Sequence, residues 1–157
     1  MLNEGGLEIY NNIFNGVATL DIVDVRKGTS DFGCKVHDNL FTAPTQTATN
    51  AHSIQAIDFE ERGAIQDCYV YNNHFKNINT CVQVDAYAST TDKTYIGGNI
   101  RMERIYIYYN IFENVGNTTN SYSSPIALKP EGSTTNLIWD QIYIDNNTII
   151  SGTTYKC

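Results

Sequence analysis

The stretch IYNNIF (residues 9–14) returns as VYNNHF (70–75) and IYYNIF (107–112), with weaker copies VHDNLF (36–41) and IDNNTI (144–149). Aligned on the last Asn of each phrase, the copies put Asn12, Asn39, Asn73, Asn110 and Asn147 in one column. Subtracting successive positions gives intervals of 27, 34, 37 and 37 residues. Self-similarity at a period of about 20 to 50 residues signals a solenoid, a propeller or another repeat array.

The columns around that Asn define a strand. Leu7, Cys34, Cys68, Ile105 and Ile142 stand five positions before it; Ile9, Val36, Val70, Ile107 and Ile144 three before; Phe14, Phe41, Phe75, Phe112 and Ile149 two after. Between these apolar columns run polar or aromatic ones: Glu8, Lys35, Tyr69, Tyr106, Tyr143, then Tyr10, His37, Tyr71, Tyr108, Asp145. Alternation with period two marks a half-buried strand. A further strand follows each of the first four copies: LDIVD (20–24), IQAID (54–58), VQVDA (82–86) and IALKP (126–130). Its inward pairs read as Leu20/Ile22, Ile54/Ala56, Val82/Val84 and Ile126/Leu128. Each unit is therefore expected to run strand, corner at Asn, short strand, loop, strand, loop, with successive units burying their apolar columns against one another.

This pattern resembles the right-handed parallel β-helix of the pectate-lyase-like superfamily, in which an Asn at a tight turn stacks on its counterpart from coil to coil. The residues that carry the resemblance are Asn12, Asn39, Asn73, Asn110 and Asn147, with the Phe column beside them. The expected fold is all-β, a single-stranded solenoid of about five coils, with residues 1–157 forming one domain. At the corner, Asn is expected to take the left-handed backbone and to bond the next Asn through its amide. The rival reading, a propeller or sandwich of hairpins, needs two-residue turns between paired strands. Asn15-Gly16 is the one Asn-Gly pair in the chain. No capping helix is visible at either end. Stacked repeats need their end faces covered, so the chain is expected to be a piece of a longer β-helix or to have neighbours over its ends.

Composition fits this reading: 41% hydrophobic, 17% charged, 11 Tyr and only 3 Pro. A net charge of −7 and a pI near 4.7 argue against binding a phosphate backbone, since no basic patch is visible. No apolar run reaches the roughly 18 residues of a membrane span. No basic-then-apolar leader opens the sequence. Of the four cysteines, Cys34 and Cys68 share an inward column; strands about 4.8 Å apart allow a disulfide there, although a small apolar core residue serves the column equally. Cys81 and Cys157 have no evident partner, and without a CxxC pair a zinc site is not indicated. Of two glycosylation sequons, the one at Asn117 falls in a loop, whereas that in Asn146-Asn147-Thr148 is expected to be shielded by the corner.

Loop lengths point to the site. The Asn corner never gains a residue, whereas the loops flanking the LDIVD-type strand vary: 42–52 and 113–124 before it, 25–33, 87–103 and 131–140 after it. They would wall a groove floored by the outward face of that strand stack, the face on which polysaccharide lies in the resembled family. The floor would carry Asp21, Gln55 and Gln83 in one column, with Asp24, Asp58, Asp85 and Lys129 just beyond and Glu60, Glu61 and Arg62 close by. Asp58 and Asp85 would serve as a general acid and base or, with Asp24, as a calcium site. Lys129 or Arg62 would remove the proton beside a uronate carboxylate, the role the resemblance gives a basic residue. His52 is a candidate proton carrier, and Tyr87, Tyr95 and Tyr122 could stack on sugar faces. The sequence lacks the Asn-Thr-Asp, Asp-Asp and Arg-Ile-Lys elements of polygalacturonases and the Arg-x-Pro-x-x-Arg element of pectate lyases. Two functions are expected from these features: a carbohydrate-active β-helix, lyase or hydrolase, on an extracellular and acidic polysaccharide; or a non-catalytic structural or adhesive segment, such as part of a phage tailspike or surface protein.

Overall fold

The computed structural model describes residues 6–15, 21–26, 33–43, 55–62, 64–87, 99–115, 124–131 and 136–150. The first repeat contributes β1 (Leu7–Tyr10), β2 (Ile13–Asn15) and β3 (Asp21–Arg26); the second, β4 (Cys34–His37), β5 (Leu40–Thr42) and β6 (Gln55–Arg62). The third holds β7 (Ala64–Tyr71), β8 (His74–Lys76) and β9 (Thr80–Tyr87); the fourth, β10 (Asn99–Tyr108), β11 (Ile111–Glu113) and β12 (Ile126–Glu131); the last, β13 (Asn136–Asp145) and β14 (Thr148–Ile150). Every pairing is parallel, and each strand neighbours its counterpart in the adjacent repeat. Three sheets result: β1-β4-β7-β10-β13, β2-β5-β8-β11-β14 and β3-β6-β9-β12. The fold is a parallel β-solenoid.

The repeat columns are the registers of the first two sheets. Cys34 pairs with Cys68, Cys68 with Ile105, and Ile105 with Ile142. The phenylalanines stack, with ring centroids 4.7 Å (Phe14–Phe41), 5.0 Å (Phe41–Phe75) and 5.2 Å (Phe75–Phe112) apart. Cys34, Cys68 and Cys81 are buried thiols outside any disulfide, so the Cys34–Cys68 column holds two small core residues. Burial pushes the Cys34 thiol up to about 12 and raises Cys81 as well, which leaves both inert.

The five asparagines form a continuous ladder. The Asn39 amide nitrogen donates to Asn73 Oδ1 (3.1 Å), and Asn73 repeats this toward Asn110 Oδ1 and Asn110 toward Asn147 Oδ1, both at 3.0 Å. Each side-chain Nδ2 also donates to the next Oδ1, as from Asn12 to Asn39 at 3.2 Å and from Asn73 to Asn110 at 3.1 Å. The left-handed backbone, however, falls one residue earlier than expected, at Asn11, Asp38, Asn72, Tyr109 and Asn146. The labour is divided: one residue bends the chain and the next spends its side chain on the ladder. Asn146, the acceptor of its sequon, is accordingly exposed, and the shielded residue is Asn147. Tyr109 is the one bulky residue at this bend (φ 56°), exposed and touching Tyr108 edge-on. Left-handed geometry costs an ordinary L-residue about 1–2 kcal/mol, less for Asn. Tyr109→Asn is therefore expected to stabilise the fold by about 0.5–1 kcal/mol, read from the urea midpoint.

Two further corners were not evident in the repeat. Asp67, Arg104 and Gln141 are left-handed within β7, β10 and β13, level with Gly33 and Gly6. A Cβ on Gly6 would lie 1.7 Å from the Gly33 carbonyl oxygen, so the first repeat admits only glycine there. The runs ahead of this bend, Asn99–Glu103 and Asn136–Asp140, are paired strand, where the sequence suggested groove loop. After the Phe column, Asn77 and Asn114 are left-handed too. Asn114 Nδ2 donates to Asn77 Oδ1 (2.6 Å), and Asn77 Nδ2 to the Ala43 carbonyl (3.0 Å), a second and shorter ladder.

The third sheet departs from expectation in register. Val23, Ile57, Val82 and Ile126 are level, as are Val25, Phe59, Val84 and Leu128. In the second repeat the core-facing pair is thus Ile57/Phe59, not Ile54/Ala56, and its level counterpart in the first repeat is Val23/Val25, not Leu20/Ile22; Ala56 is buried but lies on the opposite face with Asp58. Bulk explains the choice, since Ile and Phe fill a column spanning four repeats better than Ala.

Candidate functional site

The register of the third sheet rearranges its outward positions. Gln83 is level with Asp58, not with Gln55; Gln55 is level with Asp21 and Thr80, two residues before the core-facing level of Val23, Ile57 and Val82, so by alternation the Asp21 and Gln55 positions fall on the inward side of the sheet and not on the expected floor. Asp24, Asp58, Gln83 and Ala127 form one row, and Arg26, Glu60, Asp85 and Lys129 the next. Beyond them Arg62, Tyr87 and Glu131 are level. The second row reads cation, anion, anion, cation along the solenoid.

Asp58 and Gln83 are buried, at 5% and 4% exposure, and Gln83 Nε2 donates to Asp58 Oδ2 at 3.2 Å. Burying a carboxylate is tolerable only with such partners. Asp85, Lys129 and Gln55 are half-buried. Asp58 and Asp85 therefore belong to different rows, Asp58 beside an amide and Asp85 beside Lys129. Of the proposed calcium ligands, Asp24 and Asp58 are level and Asp85 stands one row along. Among the described residues no group of three or more His, Cys, Asp or Glu side chains could hold a metal ion. The side chains of Asp21, Asp24, Arg26, Glu60, Glu61, Arg62, Tyr87 and Glu131, and the whole of His52, Tyr95, Tyr122, Asn117 and Cys157, lie outside the described residues, so the rows above are backbone registers at those positions.

Next to this face is a polar cluster that the repeat did not single out. Only residue 63 separates β6 from β7, where the Gln66 side-chain amide donates to Glu103. Arg104 makes a forked bond to Asp67, Nε to Oδ1 at 2.6 Å and a terminal nitrogen to Oδ2 at 2.9 Å. Asp67 raises the Arg104 pKa further above its ordinary value. Opposite charges at one position of adjacent repeats were the available signal.

The other outward faces are ordered as well. Tyr69, Tyr106 and Tyr143 stack at 4.8 and 5.1 Å. Tyr10, His37, Tyr71 and Tyr108 stack at 5.3, 4.5 and 5.1 Å. Burial raises the phenol pKa of Tyr69 and Tyr71. His37 joins this column with Nδ1 2.6 Å from Asp38 Oδ2 and Nε2 3.0 Å from Glu8 Oε1. On the second sheet Glu113 bridges Lys76 (2.6 Å) and His74 (2.9 Å). The hydrogen bond from Lys76, supported by His74, holds its carboxyl below the usual carboxylate range. Because these rings stack face to face, their edges point outward, a geometry suited to rigidifying the sheet rather than to stacking on a ligand.

Among the described residues no helix is long and apolar enough to cross a membrane. Comparison of the chain with protein-family models, with curated proteins and with solved structures returns no match.

Proposed function

We propose that the chain is a right-handed β-helix of the pectate-lyase-like kind that holds an acidic, extracellular polysaccharide along the outward face of the β3-β6-β9-β12 sheet. The observation that carries this reading is the row Arg26, Glu60, Asp85, Lys129, which runs across four repeats parallel to the solenoid axis. An extended polymer lying on it meets cationic positions for its carboxylates and anionic ones for its hydroxyls. The chain as a whole is acidic, so Lys129 and Arg62 supply the local attraction, with calcium at Asp24 as a bridge to uronate where the glycan requires one. In a lyase, Lys129 or Arg62 would take the proton beside the carboxylate. In a hydrolase, Asp58 and Asp85 would share acid and base roles.

The test is retention on immobilised pectin, alginate and neutral glycans, with and without calcium, together with two product assays, the ultraviolet absorbance of the unsaturated uronates a lyase would form and the release of the reducing ends a hydrolase would form. Retention of at least one acidic glycan is expected, with Lys129→Ala weakening it about tenfold, the value of one charge-assisted contact. No retention on any glycan would end this reading. The Asp58–Gln83 bond favours a second one, a binding or adhesive segment without cleavage, because it occupies one of the two carboxylates a hydrolase needs. Retention with no product in either assay is its expected signature.

A further inference from the structure

The corner column carries a motif that the ladder does not use. Asn146-Asn147-Thr148 is an N-linked glycosylation sequon, and its two asparagines have separate tasks. Asn147 spends its side chain on the ladder, whereas Asn146 takes the left-handed bend (φ 51°) and lies exposed. This exposure belongs to the column and not to the last repeat. Asn72 and Tyr109, each with a described repeat on both sides, are exposed at the same bend. Thr148 is level with Ile111 and, through it, with His74. These positions alternate with the buried Phe75 and Phe112, so the Thr148 hydroxyl faces outward. Asn146 Nδ2 donates to Asp145 Oδ2 at 2.9 Å, outside the ladder. Beside Asn146 in the column stands Tyr109, whose backbone N–H donates to the Asp145 carbonyl at 3.4 Å. A Tyr is a costly choice for a left-handed bend, and the packing gives no reason for it. Its ring is 56% exposed and turned 74° from Tyr108, which takes its face out of the column stack.

We infer that Asn146 accepts an N-linked oligosaccharide whose first sugar rests on the Tyr109 ring. The donor class is an oligosaccharide carried on a polyprenyl diphosphate. In the transfer, Asn146 Nδ2 bonds to C1 of the first sugar while the bond from C1 to the diphosphate oxygen breaks. The diphosphate leaves with that electron pair, and one Nδ2 proton is released. The amide keeps its other N–H, enough to retain the bond to Asp145 Oδ2. Bulk outside this bend is tolerated, as Tyr109 itself shows in the neighbouring repeat. Level positions on adjacent strands stand about 4.8 Å apart, which puts a sugar on Asn146 within reach of Tyr109. The negative face of the ring attracts the C–H groups of a pyranose. A residue that only strains the bare chain thus acquires a purpose in the glycosylated one. The inference rests on the extracellular placement in the reading above, and not on the binding of polysaccharide.

The test is secretion of the 157-residue chain from a eukaryotic host behind a cleavable leader, with Asn117→Gln leaving one sequon. The expected result is a mass increment that peptide N-glycosidase removes, converting Asn146 to Asp. Thr148→Val, which suits a strand but lacks the hydroxyl, should abolish the increment; Thr148→Ser should retain it. The thermal midpoint of the glycosylated chain should lie about 2–4 °C above that of the enzyme-treated chain. In Tyr109→Asn, which fits the bend and leaves the sequon intact, the glycan should still attach and this gap should fall by more than half. A secreted, folded chain unmodified at Asn146 overturns the inference, as does an increment that survives Thr148→Val. An undiminished gap in Tyr109→Asn overturns the role given to the ring. Retention on immobilised glycans, measured on the unglycosylated chain, reports on the polysaccharide reading separately.

Discussion

Asn73→Ala is expected to cost about 3–6 kcal/mol, enough to leave the solenoid at the margin of folding, since a domain of this size is stable by about 5–15 kcal/mol. The side chain serves three partners at once. Its Oδ1 accepts from Asn39 N and Nδ2, both at 3.1 Å; its Nδ2 donates to the Val36 carbonyl at 2.8 Å and to Asn110 Oδ1. Alanine removes all of these and strands the Asn39 N–H and the Val36 carbonyl in a place where the native side chain is only 1% exposed. Each buried orphan costs about 1–3 kcal/mol. Asn73→Asp should be no milder: it keeps the acceptor but sets a carboxylate against the Val36 carbonyl. Asn147→Ala, at the half-buried end of the ladder, should cost about 1–2 kcal/mol, because water can replace what is lost. Urea unfolding of the three variants checks the order. A central Asn no more costly than the terminal one would mean that the ladder is not a source of stability.

Phe75→Ala is expected to cost about 3–5 kcal/mol, and Phe75→Leu under about 1.5 kcal/mol. The ring is fully buried and sandwiched between Phe41 and Phe112 at 5.0 and 5.2 Å. Truncation opens a cavity bounded above and below by rings that the Asn ladder holds a fixed distance apart, so the site cannot collapse. Leucine refills most of the volume and loses only the stacking contribution, about 0.5–1.5 kcal/mol for aromatic pairs. Phe14→Ala, half-buried at the edge of the same column, should cost appreciably less. Thermal midpoints of the four proteins measure the gradient. Equal losses at Phe14 and Phe75 would show that the column does not act as one packed unit.

The columns that could be read in the sequence are those in which one residue type does one job in every repeat. The Asn and Phe columns are of this kind, and with them came the sheets, the parallel pairing and the core. The third strand was misread where several apolar pairs compete: Ile54/Ala56 and Ile57/Phe59 both alternate, and only packing against Val82 and Val84 decides between them. The bend at residue 109 was hidden because Tyr stands where Asn or Asp stands elsewhere. The Asn77–Asn114 ladder has two members and no repeat behind it. For the site, Asp85 and Lys129 are level on adjacent strands, but a register displaced by three residues moved Gln83 next to Asp58 and separated the two carboxylates. Most of the remaining candidates sit in segments whose lengths differ between repeats, where no column exists to be compared.

The ladder also bears on how such a chain can change in length. Its bonds join only adjacent repeats, and the 37-residue interval between Asn73 and Asn110 recurs between Asn110 and Asn147. Duplicating one such interval in the gene would insert a whole rung whose donors and acceptors match those above and below, leaving every older contact in place. Deletion of an interval would do the reverse. The architecture is thus modular at the level of the gene, and its reach along a surface can be tuned in steps of one strand spacing, about 4.8 Å.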